Sequence, residues 1–229
     1  MKIKKLISAL VLGSMLVGLS GCNITDFSAE NLLRPPKAVG DEAEIEQLIA
    51  KTADSGYTLK YPKNGKFRSA IIMTDLDGND SNEAVAFFRN SAETSSVHML
   101  VMYSKDNSWE IASDNIFETT DIDSVDFADL TGNGKAEIIV NSTTYTPNVG
   151  KLSCYSYSEG KTNEVGSGQS CSSFVTGDFD NDGTSEIMSL VLYTTENEAL
   201  ASMLDYNEDS KSLYAKAMAN MDPNVVKYK

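Results

Sequence analysis

The chain has 229 residues, of which 41% are hydrophobic and 23% charged, and this composition is sufficient to bury a core in one domain or in two small ones. The 19 basic residues are outnumbered by 33 acidic ones, which gives a formal net charge of −14. Such an acidic chain is a poor partner for nucleic acids and for anionic membrane surfaces, and a good partner for cations.

The N-terminal segment has the three parts of an export signal that ends in a cysteine. The basic opening "MKIKK" precedes the apolar run "LISALVLGSMLVGLS", whose 15 residues are too few to cross a bilayer comfortably. The run ends in "LSGC", which resembles the bacterial lipobox, where the signal is cleaved before the cysteine and the thiol carries lipid. We therefore expect residues 1–21 to be a lipoprotein signal peptide and Cys22 to be the lipid attachment point. An ordinary secretory signal with an unrelated cysteine is the alternative.

These features predict where the mature protein resides. Cleavage before Cys22 removes three lysines and no acids, so the net charge changes from −14 to −17. Acyl chains on Cys22 are expected to hold the protein at the cell membrane, on its extracytoplasmic face, because each buried methylene contributes about 0.8 kcal/mol. The protein then contacts the membrane through the lipid anchor only.

Two further cysteines, Cys154 and Cys171, remain after Cys22. An even pair of cysteines in an exported chain is consistent with a disulfide bond. Two unpaired, buried thiols are the alternative, and the sequence does not decide between them.

Residues 22–56 are expected to form the lipid anchor, a tether and one short helix. The segment "NLLRPPKAVGD" contains two prolines and no hydrophobic periodicity, which indicates an extended or irregular tether. The next segment, "DEAEIEQLIAKT", places Ile45, Leu48 and Ile49 on one helical face and acidic residues at the N-terminal end, where the helix dipole favours them. We expect this amphipathic helix to pack on the domain that follows it.

The remainder of the chain, residues 57–229, contains an internal repeat. Three segments align without gaps, and their first aspartates, Asp75, Asp129 and Asp178, are 54 and 49 residues apart. Each aspartate is followed by an apolar residue, by a turn of small or acidic residues, and by a glutamate eight positions later. The aligned segments are "TDLDGNDSNEAVAFF" from Thr74, "ADLTGNGKAEIIVNS" from Ala128 and "GDFDNDGTSEIMSLV" from Gly177.

Strand-like sequences surround each repeated motif. One apolar run precedes the motif, another follows it, and two more are joined by a polar turn, so that each unit of about fifty residues carries four candidate strands. This pattern predicts an all-β protein built from about three four-stranded blades of a β-propeller, at residues 68–120, 121–170 and 171–220. An ordinary antiparallel sandwich with a recurring turn is the alternative.

The number of blades bears on self-association. A closed propeller has about four to eight blades, and three are recognisable in this sequence, which predicts an open or incomplete array. Open end strands pair readily with other strands, so we expect self-association through the blade edges. The segment "YTLKYPK", which precedes the first repeat, can pair with one of these edges.

The third motif, "DFDNDGTSE", has the oxygen-bearing residues of a cation site. A hard cation such as Ca²⁺ takes about six to eight oxygen ligands at roughly 2.3–2.6 Å. Side chains at positions 1, 3 and 5 of a tight loop point inward, a glycine at position 6 permits the chain reversal, the carbonyl at position 7 can face the ion, and an acid at position 9 closes the shell. An EF-hand is excluded, because its closing glutamate stands at position 12 between helices. The residues assigned to the metal are Asp178, Asp180, Asp182, Thr184 and Glu186.

The first motif matches this arrangement less completely. Asp80 replaces the glycine, so either Gly78 shifts the turn by one residue or the aspartate adopts the left-handed conformation itself. The metal-ligand candidates of this motif are Asp75, Asp77, Asn79, Ser81 and Glu83.

The second motif has only two carboxylates, which favours a metal-free turn held by the Gly132-Asn133-Gly134 geometry. The weaker candidates of this motif are Asp129, Thr131, Asn133 and Glu137. We expect one or two Ca²⁺ ions in all, and solvated turns without metal are the alternative for all three motifs.

The pattern D-x-D-x-D-G-x-x-E between strands, repeated at this interval, resembles the calcium-binding repeats of the FG-GAP and VCBS types, which line integrin α-subunit propellers and many bacterial surface proteins. The resemblance covers about residues 68–218. The stretch "LLRPPK" followed by "GDEAEIEQL" is also similar to the start of uncharacterised lipoproteins from gut Firmicutes that carry such repeats. The resemblance implies a calcium-binding propeller and supplies no reaction.

Few features of the sequence point to catalysis. His98, the single histidine, lies in the apolar run "VHMLVM" without a recognisable catalytic partner, and the chain has no G-x-S-x-G, H-E-x-x-H, P-loop or C-x-x-C motif. We therefore expect a non-enzymatic extracytoplasmic lipoprotein whose metal-braced blades present loops to a surface protein or a glycan. The alternative is a polysaccharide-acting enzyme, a hydrolase or lyase, that uses acids outside the repeats. A solute-binding lipoprotein fits poorly, because it needs alternating strands and helices.

Overall fold

The computed structural model describes residues 40–222, apart from residues 55, 94, 147 and 194–196. The predicted signal peptide, Cys22 and the tether lie outside the described residues. The described part contains one helix and thirteen strands, so the predicted mostly-β architecture is confirmed. In this part of the chain no helix is long and apolar enough to span a membrane.

The strands form three antiparallel sheets, each of which follows the chain as a meander. The first sheet contains β1 (Tyr57–Leu59), β2 (Ile71–Thr74), β3 (Glu83–Asn90), β4 (Val97–Lys105) and β5 (Ser108–Phe117). The second sheet contains β6 (Ile122–Ala128), β7 (Glu137–Thr143), β8 (Gly150–Ser158) and β9 (Lys161–Cys171). The third sheet contains β10 (Ser173–Gly177), β11 (Glu186–Tyr193), β12 (Glu198–Asn207) and β13 (Ser212–Met221). The prediction of four strands in each repeated unit is confirmed.

The repeated motif occupies the same place in every sheet, between its first two strands. The residue before the first aspartate pairs with the closing glutamate, which fixes the register of the two strands. The three pairs are Thr74 with Glu83, Ala128 with Glu137 and Gly177 with Glu186. The repeat in the sequence is therefore a repeat in the structure.

The segment that precedes the first repeat adds a short strand to the first sheet. Leu59 of β1 pairs with Phe88, whereas Ile71 of β2 pairs with Ala86, so β1 and β2 lie end to end along β3. The first three residues of "YTLKYPK" therefore join the first sheet on β3 and do not pair with its end strand β2.

Alternate residues of each strand fill the core on either side of a sheet, as the period of two requires. Val85 and Phe87 of the first sheet share a buried cluster with Ile138 and Val140 of the second. The intervening residue Ile139 faces the opposite way. Its cluster joins the second sheet to the third, and its main members are Ile139, Leu152, Cys154, Ile187, Leu204 and Leu213.

The helix α1 (Asp41–Ala53) covers the other face of the first sheet. Ile45, Ile49 and Ala53 are buried, and Leu48 is partly buried beside them, which confirms the predicted apolar face. The small side chains of β3 leave room for the helix. The sheet residues that pack against it are Ala84, Ala86, Phe88, Leu100, Met102 and Trp109.

The three sheets do not close into a ring, so the described residues form a series of sheets and not a complete propeller. The first sheet is covered by α1 on one face and by the second sheet on the other. The third sheet packs on the second through one face, and Val175 on its first strand is 58% exposed.

Cys154 and Cys171 are free and buried, so the structure has the two unpaired thiols and not the disulfide. The strand register accounts for this result. Cys171 pairs with Gly150, which stands four residues before Cys154 on β8, or roughly 13 Å along the strand. A disulfide requires the two Cα atoms to be within about 7 Å. Burial raises the pKa of both thiols, that of Cys171 to about 12, which makes them unreactive.

Candidate metal-binding loops

The three motif loops, residues 75–83, 129–137 and 178–186, are built on one hydrogen-bonding plan. In the third loop, both carboxylate oxygens of Asp178 accept from backbone N–H groups, those of Asp182 and Gly183, at 3.1 and 3.0 Å. Asp182 in turn accepts from the N–H of Thr184 at 2.8 Å, and Glu186 accepts from the N–H of Phe179 at 2.8 Å. The side chains at positions 1, 5 and 9 are therefore held in place by the loop's own backbone.

The other two loops repeat these bonds at the same positions. Asp75 accepts from Asp80, and Asp129 accepts from Gly134, each through position 6 of the loop. At position 5, the side chain of Asn79 accepts a hydrogen bond from the N–H of Ser81, and that of Asn133 accepts one from the N–H of Lys135. The position-9 bonds are Leu76 N–H to Glu83 and Leu130 N–H to Glu137, both at 2.8 Å.

Two positions of each loop adopt the left-handed conformation. The first is position 6, as the sequence predicts. Asp80 has a φ of 65° there, and the other two loops have glycines with positive φ at this position. Gly78 therefore does not shift the turn, and the aspartate adopts the left-handed conformation itself. Position 4 is the second left-handed position and was not predicted. Its occupants are Gly78, Gly132 and Asn181, residue types that tolerate a positive φ and that signalled this conformation in the sequence.

The third loop gathers four carboxylates around one point. Asp178, Asp180, Asp182 and Glu186 each offer an oxygen within 4.8 Å of the others. Glu186 is fully buried, and its Oε1 has no hydrogen-bond partner within the described residues. A buried carboxylate oxygen without a donor is costly unless a cation or water supplies the missing interaction. The residues present therefore fit a hard cation that binds oxygen.

The first loop gathers three carboxylates in the same way. Oxygens of Asp75, Asp77 and Glu83 lie within 4.8 Å of one another. The Oδ1 atom of Asp77 is buried and has no hydrogen-bond partner among the residues described. Like the third loop, the first thus combines clustered carboxylates with an unsatisfied oxygen.

The second loop differs because a hydroxyl satisfies its glutamate. Thr131, at position 3, donates to Oε1 of Glu137 at 3.2 Å, while Oε2 of that residue accepts from Leu130. Glu137 is 1% exposed. Each oxygen of this carboxylate accepts a hydrogen bond without an ion, which agrees with the expectation of a metal-free turn.

Burial affects the pKa of the acidic side chains in these loops. It raises the pKa of Glu83 and of Glu137, outweighing the hydrogen bonds that Leu76 and Leu130 donate to them. At Asp75 burial also acts to raise the pKa, but four backbone N–H groups outweigh it and the pKa is lowered. A cation in the first loop would relieve the cost of burying the charged form of Glu83.

A lysine from a distant strand contacts the third loop. The Nζ atom of Lys216, on β13, lies 2.5 Å from Oδ2 of Asp180 and 2.9 Å from Oδ2 of Asp205, on β12. These hydrogen bonds, chiefly the one to Asp180, raise the pKa of Lys216, so it is charged at neutral pH. Its ammonium group therefore competes with a metal ion for Asp180.

Successive loops contact one another. The N–H of Ala136, in the second loop, donates to the carbonyl of Leu76 in the first at 3.1 Å. The N–H of Ser185, in the third loop, donates to the carbonyl of Asp129 in the second at 2.9 Å. An ion in one loop would therefore also brace the joint between neighbouring sheets.

His98 lies on β4 and is 5% exposed. Its Nδ1 contacts the carboxylate of Asp114 at 2.9 Å, its Nε2 lies 3.2 Å from Glu93, and its ring stacks on Phe88. Both ring nitrogens of this buried histidine therefore lie within hydrogen-bond distance of a carboxylate.

Comparison with known proteins does not place this chain in a family. No family model matches the sequence, and no curated protein matches it.

Proposed function

We propose that this protein is a calcium-binding extracytoplasmic lipoprotein, anchored at the cell membrane through Cys22, that presents its loops to a surface protein or a glycan. Two Ca²⁺ ions are assigned, one to the third loop and one to the first. The sheets serve as an open array of propeller blades, and the ions brace the joints between them.

The contrast between Glu186 and Glu137 carries the metal assignment. The two glutamates occupy the same position, are equally buried and accept the same backbone bond. Glu137 has a threonine hydroxyl for its second oxygen, whereas the second oxygen of Glu186 has no partner in the described part of the chain. Asp180 of the third loop occupies the position of Thr131, so a carboxylate replaces the hydroxyl donor there. Asp180 has an ion-pair partner in Lys216, but the exchange still leaves Oε1 of Glu186 without a donor in the described part of the chain, and a cation in the loop would supply that interaction.

The choice of calcium rests on ligand chemistry. The candidate ligands are carboxylate, amide and carbonyl oxygens, without a thiol or an imidazole, which suits a hard cation and not zinc or copper. A loop of nine residues with several acidic side chains accommodates the long and variable Ca²⁺–oxygen distances more readily than the strict octahedral shell of Mg²⁺.

The membrane location rests on the N-terminal sequence alone, "LSGC" after a basic and apolar leader. An acidic domain on a lipid tether is kept from the anionic membrane surface by its own charge. Open blade edges support self-association as well as partner binding, because unpaired strands accept further strands.

Thermal unfolding tests the metal assignment. Calcium at about 100 times its Kd is expected to stabilise the folded chain by about 2.7 kcal/mol per site, because it binds only that state. Asp180→Ala is expected to lose most of the calcium-dependent gain, whereas the matched variant Asn133→Ala, in the second loop, keeps it. Identical melting of the parent in calcium and in chelator would refute the assignment.

A further inference from the structure

A cleft of about 800 Å³ lies away from the motif loops, where the second and third sheets meet the segment between β1 and β2. This volume falls within the range of about 300–1,000 Å³ that small-molecule sites occupy. Its walls include Arg68 from the inter-strand segment, Asp123 from β6, Asn141 from β7 and Phe174 from β10.

The lining of the cleft is rich in groups that exchange hydrogen bonds. Of the eighteen described residues that line it, ten carry a hydroxyl or a side-chain amide. The charged side chains among these described lining residues are Lys63, Arg68 and Asp123, two cations and one anion. In a chain with 33 acidic and 19 basic residues, this cleft is a local exception to the acidic surface.

Asn141, in the wall of the cleft, is polar at a position where the other two repeats have an apolar residue. It stands twelve residues after the first aspartate of its motif, as Phe87 does in the first sheet and Leu190 in the third. Phe87 is fully buried in the apolar core between the first two sheets. Asn141 is 1% exposed, and its Oδ1 has no hydrogen-bond partner within the described residues. A polar group thus stands where the first sheet has a core residue, while Leu190 of the third sheet is partly buried and lines the same cleft.

Neighbouring groups hold this amide in position. The Nδ2 atom of Asn141 donates to Asp123 at 3.3 Å, and Asn64 donates to the same carboxylate at 2.9 Å. The Oδ1 atom lies against Gly150, where a Cβ would come within 2.3 Å of it. A glycine at this point of β8 therefore makes the polar arrangement possible.

Arg68 adds a free donor at the rim of the cleft. Its guanidinium makes no hydrogen bond or ion pair with any residue that the structure describes, and it is exposed to solvent. Five N–H donors in a planar fork recognise hydroxyl and carboxylate oxygens.

We propose that this cleft binds a saccharide. Sugar hydroxyls both donate and accept, so they match a wall of hydroxyls, paired amides and one carboxylate, and the half-buried ring of Phe174 offers an apolar surface for a sugar face. Cleavage would need a second carboxyl group about 5–10 Å from the first, and Asp123 is the single carboxylate among the described lining residues. This inference rests on the proposed role as a binding protein, and it selects a glycan over a protein as the partner.

The test uses the purified full chain in a detergent without a sugar headgroup. The probes are cellobiose, maltose, diacetylchitobiose and digalacturonic acid, measured by saturation-transfer NMR and by titration calorimetry. We expect at least one probe to bind and Arg68→Gln, a surface change, to weaken it by about tenfold, which corresponds to about 1.4 kcal/mol. Asn141→Leu gives the second repeat the leucine that the third repeat has at this position. It removes the buried amide from the cleft and is expected to abolish saccharide binding. Asn163→Leu, on the exposed part of β9, is the matched control and is expected to bind like the parent.

The inference is overturned if none of the four probes binds, or if binding survives both Arg68→Gln and Asn141→Leu. Circular dichroism establishes that each variant is folded, and Arg68→Gln alone decides the matter if Asn141→Leu is not. All titrations are made in calcium and in chelator. If the chain binds calcium and no saccharide, only the saccharide proposal is refuted. If it binds a saccharide and no calcium, only the metal assignment is refuted.

Discussion

The hydroxyl of Thr131 donates a hydrogen bond of 3.2 Å to Oε1 of Glu137. In the third loop the corresponding oxygen, on Glu186, has no such donor within the described residues, because Asp180 replaces the threonine. One position of the repeat therefore separates a loop whose buried glutamate accepts two hydrogen bonds from a loop in which one buried glutamate oxygen has no donor among the described residues.

Thr131→Asp is expected to convert the second loop into a cation site. The change removes the hydroxyl donor and adds a carboxylate beside Asp129, Asn133 and Glu137, so the loop acquires the position-3 acid of the other two. Titration calorimetry should count one more calcium ion in the variant than in the parent. Thr131→Ser keeps the hydroxyl and is the matched control. An unchanged stoichiometry in Thr131→Asp would show that the position-3 acid does not decide occupancy.

Lys216→Met is expected to tighten calcium binding at the third loop. The lysine ammonium lies 2.5 Å from Asp180, and its removal frees that carboxylate and takes away a positive charge near the ion. The pair is partly exposed, so we expect a gain of about three- to tenfold in affinity.

Calorimetry on an Asp77→Asn background, in which the first loop is disabled, isolates the third site. Lys161→Met removes an exposed lysine from β9 and controls for net charge. An equal gain in both lysine variants would mean that Lys216 acts only through long-range charge.

Asp121→Asn is expected to destabilise the fold at neutral pH. Burial acts to raise the pKa of Asp121, but hydrogen bonds and ion pairs with Lys60 and Lys63, at 2.5 and 3.1 Å, outweigh it and lower the pKa. A lowered folded-state pKa stabilises the protein above the unfolded value of 3.8, and this contribution is lost as the pH falls through the folded value.

Urea unfolding should therefore give Asp121→Asn a deficit of about 1 kcal/mol at neutral pH, because the pair is partly exposed, and this deficit should shrink as the pH falls. Asp209→Asn, in the exposed turn between β12 and β13, is the control and should show no deficit. A deficit that stays constant with pH would mean that the variant acts through packing and not through charge.

Cys22→Ser is expected to release the protein from membranes or to block its processing, because the thiol is the proposed point of lipid attachment. Membrane fractionation together with labelling by a radioactive fatty acid measures both effects. Unchanged retention of the variant, with no label on the parent, would refute the lipid anchor.

The sequence was sufficient to predict the strands and the motif loops, because both depend on local patterns. The alternation around each motif predicts four strands, and the aspartate, asparagine and glutamate side chains at positions 1, 5 and 9 accept hydrogen bonds from their own loop backbone. The left-handed position 4 was also signalled, by Gly78, Gly132 and Asn181, but was missed.

Long-range contacts could not be predicted from the sequence. Lys216 reaches Asp180 across 36 residues, which depends on how β13 pairs with β12. The separation of Cys154 from Cys171 depends on the register of β8 and β9, which two irregularities shift. The cleft at Asn141 depends on the packing of one sheet on the next. In each case the deciding interaction joins segments that no local pattern relates.

A crystal structure of the chain grown with calcium, with anomalous scattering used to locate the ions, tests the central claim most directly. The account predicts one ion among the carboxylates of Asp178, Asp180, Asp182 and Glu186. Oε1 of Glu186, which has no hydrogen-bond partner among the described residues, is expected to bind this ion. A second ion is predicted among the carboxylates of Asp75, Asp77 and Glu83. It predicts no ion at Glu137. A third loop without an anomalous peak at saturating calcium would contradict the account.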